Sequence, residues 1–127
     1  MMTLRVFKNR AFARWVKGND LGDGSLCRAA HEVRRGLIDA RLGGPLLKKR
    51  VGRLHGGKRG GFRTIIAYQE SDRLFFIYGF AKNERDNITN TERMVLMALG
   101  EQFMACDDAA LARAITDGLL QEVACDG

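Results

Sequence analysis

The 127-residue chain contains no apolar run near the roughly 18 to 20 residues needed to cross a bilayer. Its first ten residues, MMTLRVFKNR, hold no apolar stretch of the kind found in signal peptides. Both absences predict a cytoplasmic protein with no membrane partner. Cysteine is scarce: Cys27, Cys106 and Cys125 are odd in number and lack CxxC or Cys/His ligand spacing. That argues against a disulfide framework and a zinc site, and predicts reduced thiols, two of them filling the core. No repeat, low-complexity tract or long linker divides the chain, so residues 1–127 read as one domain. A hydrophobic share of 46% with 28% charged residues excludes a disordered chain and suits a single core.

Acidic residues are missing where cations are densest. Between Arg41 and Gln69 the cations Arg41, Lys48, Lys49, Arg50, Arg53, Lys58, Arg59 and Arg63 meet no carboxylate. Residues 1–90 hold 19 Lys and Arg against 8 Asp and Glu, whereas residues 91–127 hold 2 against 7. The overall charge of +6 therefore hides +11 followed by −5. Such a block attracts a polyanion. A charge run alone more often marks a solvated face, but here glycines and strand-like segments are interleaved with it.

Residue periodicity orders the chain. LRVF, residues 4–7, suits a strand, and NRAFARWVKG sets Phe12, Trp15 and Val16 on one helical face before Gly18. A second helix starts near Asp23 or Ser25, carries Leu26, Ala30, Val33 and Leu37 on its core side, and is expected to end at Gly43–Pro45. The two helices read as an antiparallel hairpin covering one face of a sheet. LLKKRVGRL is a basic extended segment, while FRTIIAYQ and RLFFIYGFA are strands joined by an ESD turn. Thr89 and Glu92 have capping-box spacing at the head of a third helix with Leu96, Leu99 and Phe103 on its apolar stripe. A last helix from about Asp108, with Leu111, Ile115 and Leu119, leads to LLQEV, a short strand or an extended tail.

If Gln69 pairs with Leu74, Arg63 opposes Phe80 and Gly61 opposes Lys82 on the same side of the sheet. The cations at the two ends of the hairpin then converge. HGGKRGGFR, residues 55–63, adds four glycines that expose backbone N–H groups to an anion, although no GxxxxGK[ST] phosphate loop is present. Lys82 and Arg85 follow the second strand; a solvated strand end and a pairing of Arg85 with Glu84 or Asp86 are the bland alternatives. On this register Tyr68 and Tyr78 point to opposite faces, so only one can stack on a base in the groove. Phe75, Phe76 and Phe80, the cysteines, and the methionines of RMVLM are assigned to packing.

These residues, above all the block KKR, GGKRGGFR, AY and RLFFIYGFAKNERDNI between Lys48 and Ile88, resemble the RelE/HigB-like toxins of bacterial toxin–antitoxin pairs, within the RelE/ParE superfamily. The resemblance extends over essentially the whole chain. It implies an α+β fold with two N-terminal helices packed on a small, mostly antiparallel sheet and helices toward the C-terminus. It also implies cleavage of messenger RNA on the ribosome and a cognate antitoxin that carries a helix-turn-helix. By position, Arg63 in GGFR resembles the family's strand arginine on the scissile phosphate, and Arg85 in KNER resembles the second arginine. Some relatives carry paired lysines before the first arginine and a tyrosine about six residues after the second; this chain has His55, Lys58 and Arg59 in the first place and Thr91 in the second. Proton-transfer roles therefore do not carry over.

RNA cleavage without metal or cofactor uses the RNA's own 2′-hydroxyl, so a protein must orient it, stabilise the phosphorane and move two protons. Arg63 and Arg85 are the candidate stabilisers, because a planar guanidinium can hold two phosphate oxygens. Lys58, its pKa lowered among other cations, and His55, which needs no shift, are alternative bases; His55 is equally well an idle loop residue, and His31 is weaker still. Lys48, Lys49, Arg50, Arg53, Arg59 and Lys82 are expected to bind the RNA backbone. A gyrase inhibitor on the same fold and a nonenzymatic RNA-binding module remain open. The acidic C-terminal region is an alternative to the antitoxin as a shield for the cationic groove.

Overall fold

Strands with apolar residues on both sides need cover on both, and here helices pack on each face of one sheet. The computed structural model describes residues 3–52 and 61–125. In chain order these form β1 (Arg5–Asn9), α1 (Arg10–Lys17), α2 (Asp23–Arg34), β2 (Ala40–Gly43), β3 (Leu46–Val51), β4 (Phe62–Ala67), β5 (Arg73–Ala81), α3 (Asn90–Met104), α4 (Asp108–Thr116) and β6 (Leu120–Val123). The six strands lie in the order β2-β3-β4-β5-β1-β6. Every adjacent pair is antiparallel except β1 with β5. The α+β expectation holds, with both N-terminal helices on one face.

Alternation along the strands divides the core into two layers. Under α1 and α2 lie Val6, Leu47, Phe62, Ile66, Leu74 and Phe76, together with Phe12, Val16, Leu26 and Val33 from the helices. Under α3 and α4 lie Phe7, Leu46, Ile65, Phe75, Ile77 and Phe80, with Leu96 and Leu111. Fully burying one such side chain stabilises the fold by about 1.5–3 kcal/mol. Trp15 of α1 meets Phe62 edge-on at 5.2 Å, and its ring occupies the space that a Cβ on Gly79 would fill. Tyr68 packs with the first layer and Tyr78 with the second, on opposite faces as the register requires.

Several expectations need correction. α2 does not run to Gly43–Pro45. It stops at Arg34, because Gly36 adopts φ +89° and a Schellman pair forms, Gly36 N–H to the Val33 carbonyl and Leu37 N–H to the Glu32 carbonyl. The residues beyond build the edge strand β2, and Leu37 is 52% exposed. Gly118 (φ +76°) ends α4 in the same way, leaving Leu119 outside the helix and exposed, while LLQEV supplies a true strand. The β4–β5 register matches the expected one from Phe62 to Ile65, then shifts by one at a bulge, so Ile66 meets Phe76 and the Gln69–Leu74 pair does not form. Met94 is 60% exposed rather than packed.

The largest correction concerns cysteine. Cys27 and Cys125 form a disulfide, with Cα atoms 5.6 Å apart, and only Cys106 is free. Sequence spacing hides this because the bridge is made by the sheet. α2 packs against both β3 and β6, so Cys27 in its first half meets the chain just after β6.

Candidate active site

On β3 and β4 the face beneath α3 reads Leu46, Lys48, Arg50, opposed by Ala67, Ile65 and Arg63. The inner members are core. Toward the open end of the hairpin the row turns cationic: Arg50 is exposed and lies directly opposite Arg63, which lies directly opposite Phe80 on β5. Lys82 is exposed, and its N–H bonds to the Gly61 carbonyl at 3.3 Å, continuing the expected register past the strand end. The structure thus brings Arg50, Arg63 and Lys82 to one end of one sheet face.

Arg63 differs from its neighbours in its hydrogen bonding. Its Nη1 is enclosed yet has no hydrogen-bond partner among the described residues, the only buried side-chain nitrogen or oxygen among them in that condition. An unsatisfied buried donor costs about 1–3 kcal/mol, more when charged, so such a group calls for an explanation. Arg50 faces Arg63 across the strand pair, with its own charge paired to Asp39. Arg50 is held by Asp39, whose Oδ1 accepts from Nε at 3.3 Å and whose Oδ2 accepts from the Arg50 backbone N–H.

Arg85 is fixed rather than free. Its Nη1 donates to the Tyr78 hydroxyl and to Glu92 Oε2, both at 3.1 Å; its Nη2 donates to Glu92 Oε1 at 2.5 Å; its Nε donates to the Asn87 carbonyl at 3.0 Å. Four of five donors are committed. Its Cζ sits 5.4 Å from the Phe80 ring centroid, so Arg63 and Arg85 flank the same phenyl group. The partner is neither Glu84 nor Asp86 but Glu92, at the third position of α3. There Glu92 Oε1 also accepts the Thr89 N–H at 2.7 Å, and Thr89 Oγ1 accepts the Glu92 N–H at 3.1 Å, completing the predicted capping box. The Arg85 guanidinium, followed by the Thr89 N–H, holds the Glu92 carboxyl down at about 2. The same contact raises the Arg85 pKa.

Lys49 is a correction. Strand alternation turns it to the other face, where it is 5% exposed; its Nζ lies 2.9 Å from Glu32 Oε1 of α2 and donates to the Leu37 carbonyl at 2.8 Å. It braces the end of α2 and does not reach the groove. Lys48 is half-buried on the Arg63 face. Arg53, His55, Lys58 and Arg59 lie outside the described residues. Sequence reasoning took Glu92 for a helix cap alone. Its second partner lies across an irregular turn, where residue spacing carries no signal.

No curated protein matches the chain. The family model described as the RelE toxin of the RelE / RelB toxin-antitoxin system matches residues 4–123. That span takes in all six strands, all four helices and the Arg63 end of the hairpin. The chain belongs to the RelE toxin family of toxin–antitoxin systems.

Proposed function

We propose that this toxin is a metal-independent endoribonuclease that cuts messenger RNA on the ribosome, in the cytoplasm, and is silenced by a helix-turn-helix antitoxin. The observation that carries the reading is the Arg63 Nη1, an enclosed cationic donor with no described partner, facing Arg50 across the strand pair. A phosphodiester oxygen is the acceptor that such a donor suits. Arg63 then stabilises the charge that builds on the phosphorane, and Arg50 and Lys82 guide the flanking backbone. Arg85, its charge paired with the Glu92 carboxylate, keeps one spare N–H and donates to the Tyr78 hydroxyl. Proton transfer falls to Lys58 or His55.

Transcript mapping after induction tests this directly. Intact protein should arrest growth and cut within translated regions, and Arg63→Ala should reduce cleavage by about 100- to 1,000-fold without lowering the melting temperature. Lys58→Ala should cost more activity than His55→Ala; an unaltered rate for Lys58→Ala with a lost pH limb for His55→Ala reverses the assignment. Whole transcripts with accumulating gyrase-linked DNA breaks would establish the gyrase alternative instead. RNA binding lost in Arg63→Ala, with no cleavage by the intact protein, would leave a binding module.

A further inference from the structure

We propose that the cleft between α1 and the α4–β6 corner is a second RNA-contact surface, which grips the phosphodiester backbone of double-helical RNA. This extends the RNA-directed reading above to a different region of the molecule. The cleft has a volume of about 410 Å³, and Lys8, Arg10, Arg14 and Lys17 line one side of it. Arg10, Arg14 and Lys17 fall at i, i+4 and i+7 and so form one stripe. α1 contains no acidic residue. Cations in the last turn of a helix answer its dipole, which accounts for Arg14 and Lys17 singly but not for their convergence with Lys8 and Arg10.

The rest of the lining does not cancel the charge of Arg14 and Lys17. Glu122, its one carboxylate, is turned to Arg5, which donates to it at 2.9 and 3.0 Å and holds its pKa below the usual range. Arg10 is anchored by donation to the carbonyls of Gly118 and Asp117 at 3.2 and 3.3 Å, and Lys8 pairs with Asp23 at 3.3 Å. Arg14 and Lys17 are exposed and have no ion pair among the described residues. The stripe from Arg10 to Lys17 is about 10 Å long, enough to meet two or three consecutive phosphates. The cleft is lined by no aromatic side chain on which a splayed base would stack. Backbone contact without stacking is how double-helical RNA is held. β6 lies three strands from β4, roughly 14 Å at ordinary strand spacing, so this surface meets a different RNA segment from the one at Arg63.

The test is the salt dependence of binding to a fluorescein-labelled RNA hairpin with a fully paired stem. Arg14→Gln with Lys17→Gln keeps both stems' bulk on exposed positions and should lower the slope of log K against log salt by about 2. Arg28→Gln with Arg35→Gln, exposed cations of α2 and its cap, should leave the slope unchanged. An unchanged slope in the α1 pair overturns the proposal, as does an equal fall in both pairs, which would mean long-range charge alone. Retained hairpin binding with lost capture of the antitoxin also overturns it and makes the cleft a protein-docking surface. Message cleavage by each variant, measured beside Arg63→Ala, separates the two readings: cleavage that depends on Arg63, with an α1 slope like that of the intact protein, sinks this inference alone.

Discussion

At the scale of single residues, the molecule separates cations that hold the fold from cations that face outward. Lys49 belongs to the first group. Lys49→Ala removes a buried ammonium that bonds Glu32 and the Leu37 carbonyl and should cost about 1–3 kcal/mol, the range for leaving a buried acceptor unsatisfied, while RNA affinity per folded molecule stays unchanged. Denaturant unfolding beside RNA titration checks both parts. Glu92 makes the complementary case. Its carboxyl lies at about 2 in the folded chain against 4.5 ordinarily, so the stability it contributes is fully present above about pH 4.5 and is lost as pH falls toward 2. Glu92→Gln should flatten melting temperature against pH in that window; an unchanged curve would mean that the Arg85 clamp contributes no pH-dependent stability. Arg63 was legible in the sequence because a lone charge inside an apolar strand stands out. Lys49 and Lys48 look alike in KKR, and only strand parity against α2 tells them apart.

At the scale of elements, glycines with positive φ and side-chain caps set the boundaries. Gly36→Ala must place a Cβ at φ +89°. It should cost about 1–2 kcal/mol and loosen the link from α2 to β2 without touching the Arg63 face. Thr89→Ala should cost about 1 kcal/mol through loss of the α3 cap, and in a double-mutant cycle with Glu92→Gln the two effects should fall short of their sum, because both changes open the same box. Periodicity made α1, β4, β5 and α3 readable to within a residue or two. It failed on β2, since ARLG is too short for a period-2 pattern and follows apolar spacing that continues falsely through Leu37. The bulge after Ile65 was equally hidden: the extra residue in β5 puts Ile77 and Tyr78 in the same layer, and RLFFIYGFA is apolar along so much of its length that it carries no alternation in which the break would show.

At the scale of the whole molecule, the Cys27–Cys125 bridge joins residues 98 apart in sequence. Removing such a crosslink typically costs about 2–5 kcal/mol, so a dithiol should lower the melting temperature clearly. Alkylation of the oxidised protein in denaturant should label Cys106 alone, and three labelled thiols would show that the bridge does not form. Disulfides are rare in a reducing cytoplasm, so thiol counting in rapidly quenched cells also tests the proposed location. Charge is organised at this scale too. Three carboxylates of the acidic C-terminal region pair with individual arginines, Glu92 with Arg85, Asp108 with Arg73 and Glu122 with Arg5. Of these arginines only Arg85 borders the candidate site, so none of these three carboxylates shields Arg63.

The parallel seat of β1 has a consequence for how the chain is made. β1 lies between β5 and β6, pairing Arg5 with Arg73 on one side and Asn9 with Leu120 on the other. The first strand synthesised therefore waits for partners about 70 and about 110 residues later. At the usual elongation rate of roughly 5–20 residues per second, it stays without either neighbour for several seconds. The nascent toxin cannot close its sheet, or brace α1 against β5, until most of its own message has been read. A newly made molecule thus completes its sheet only after β6 has been synthesised.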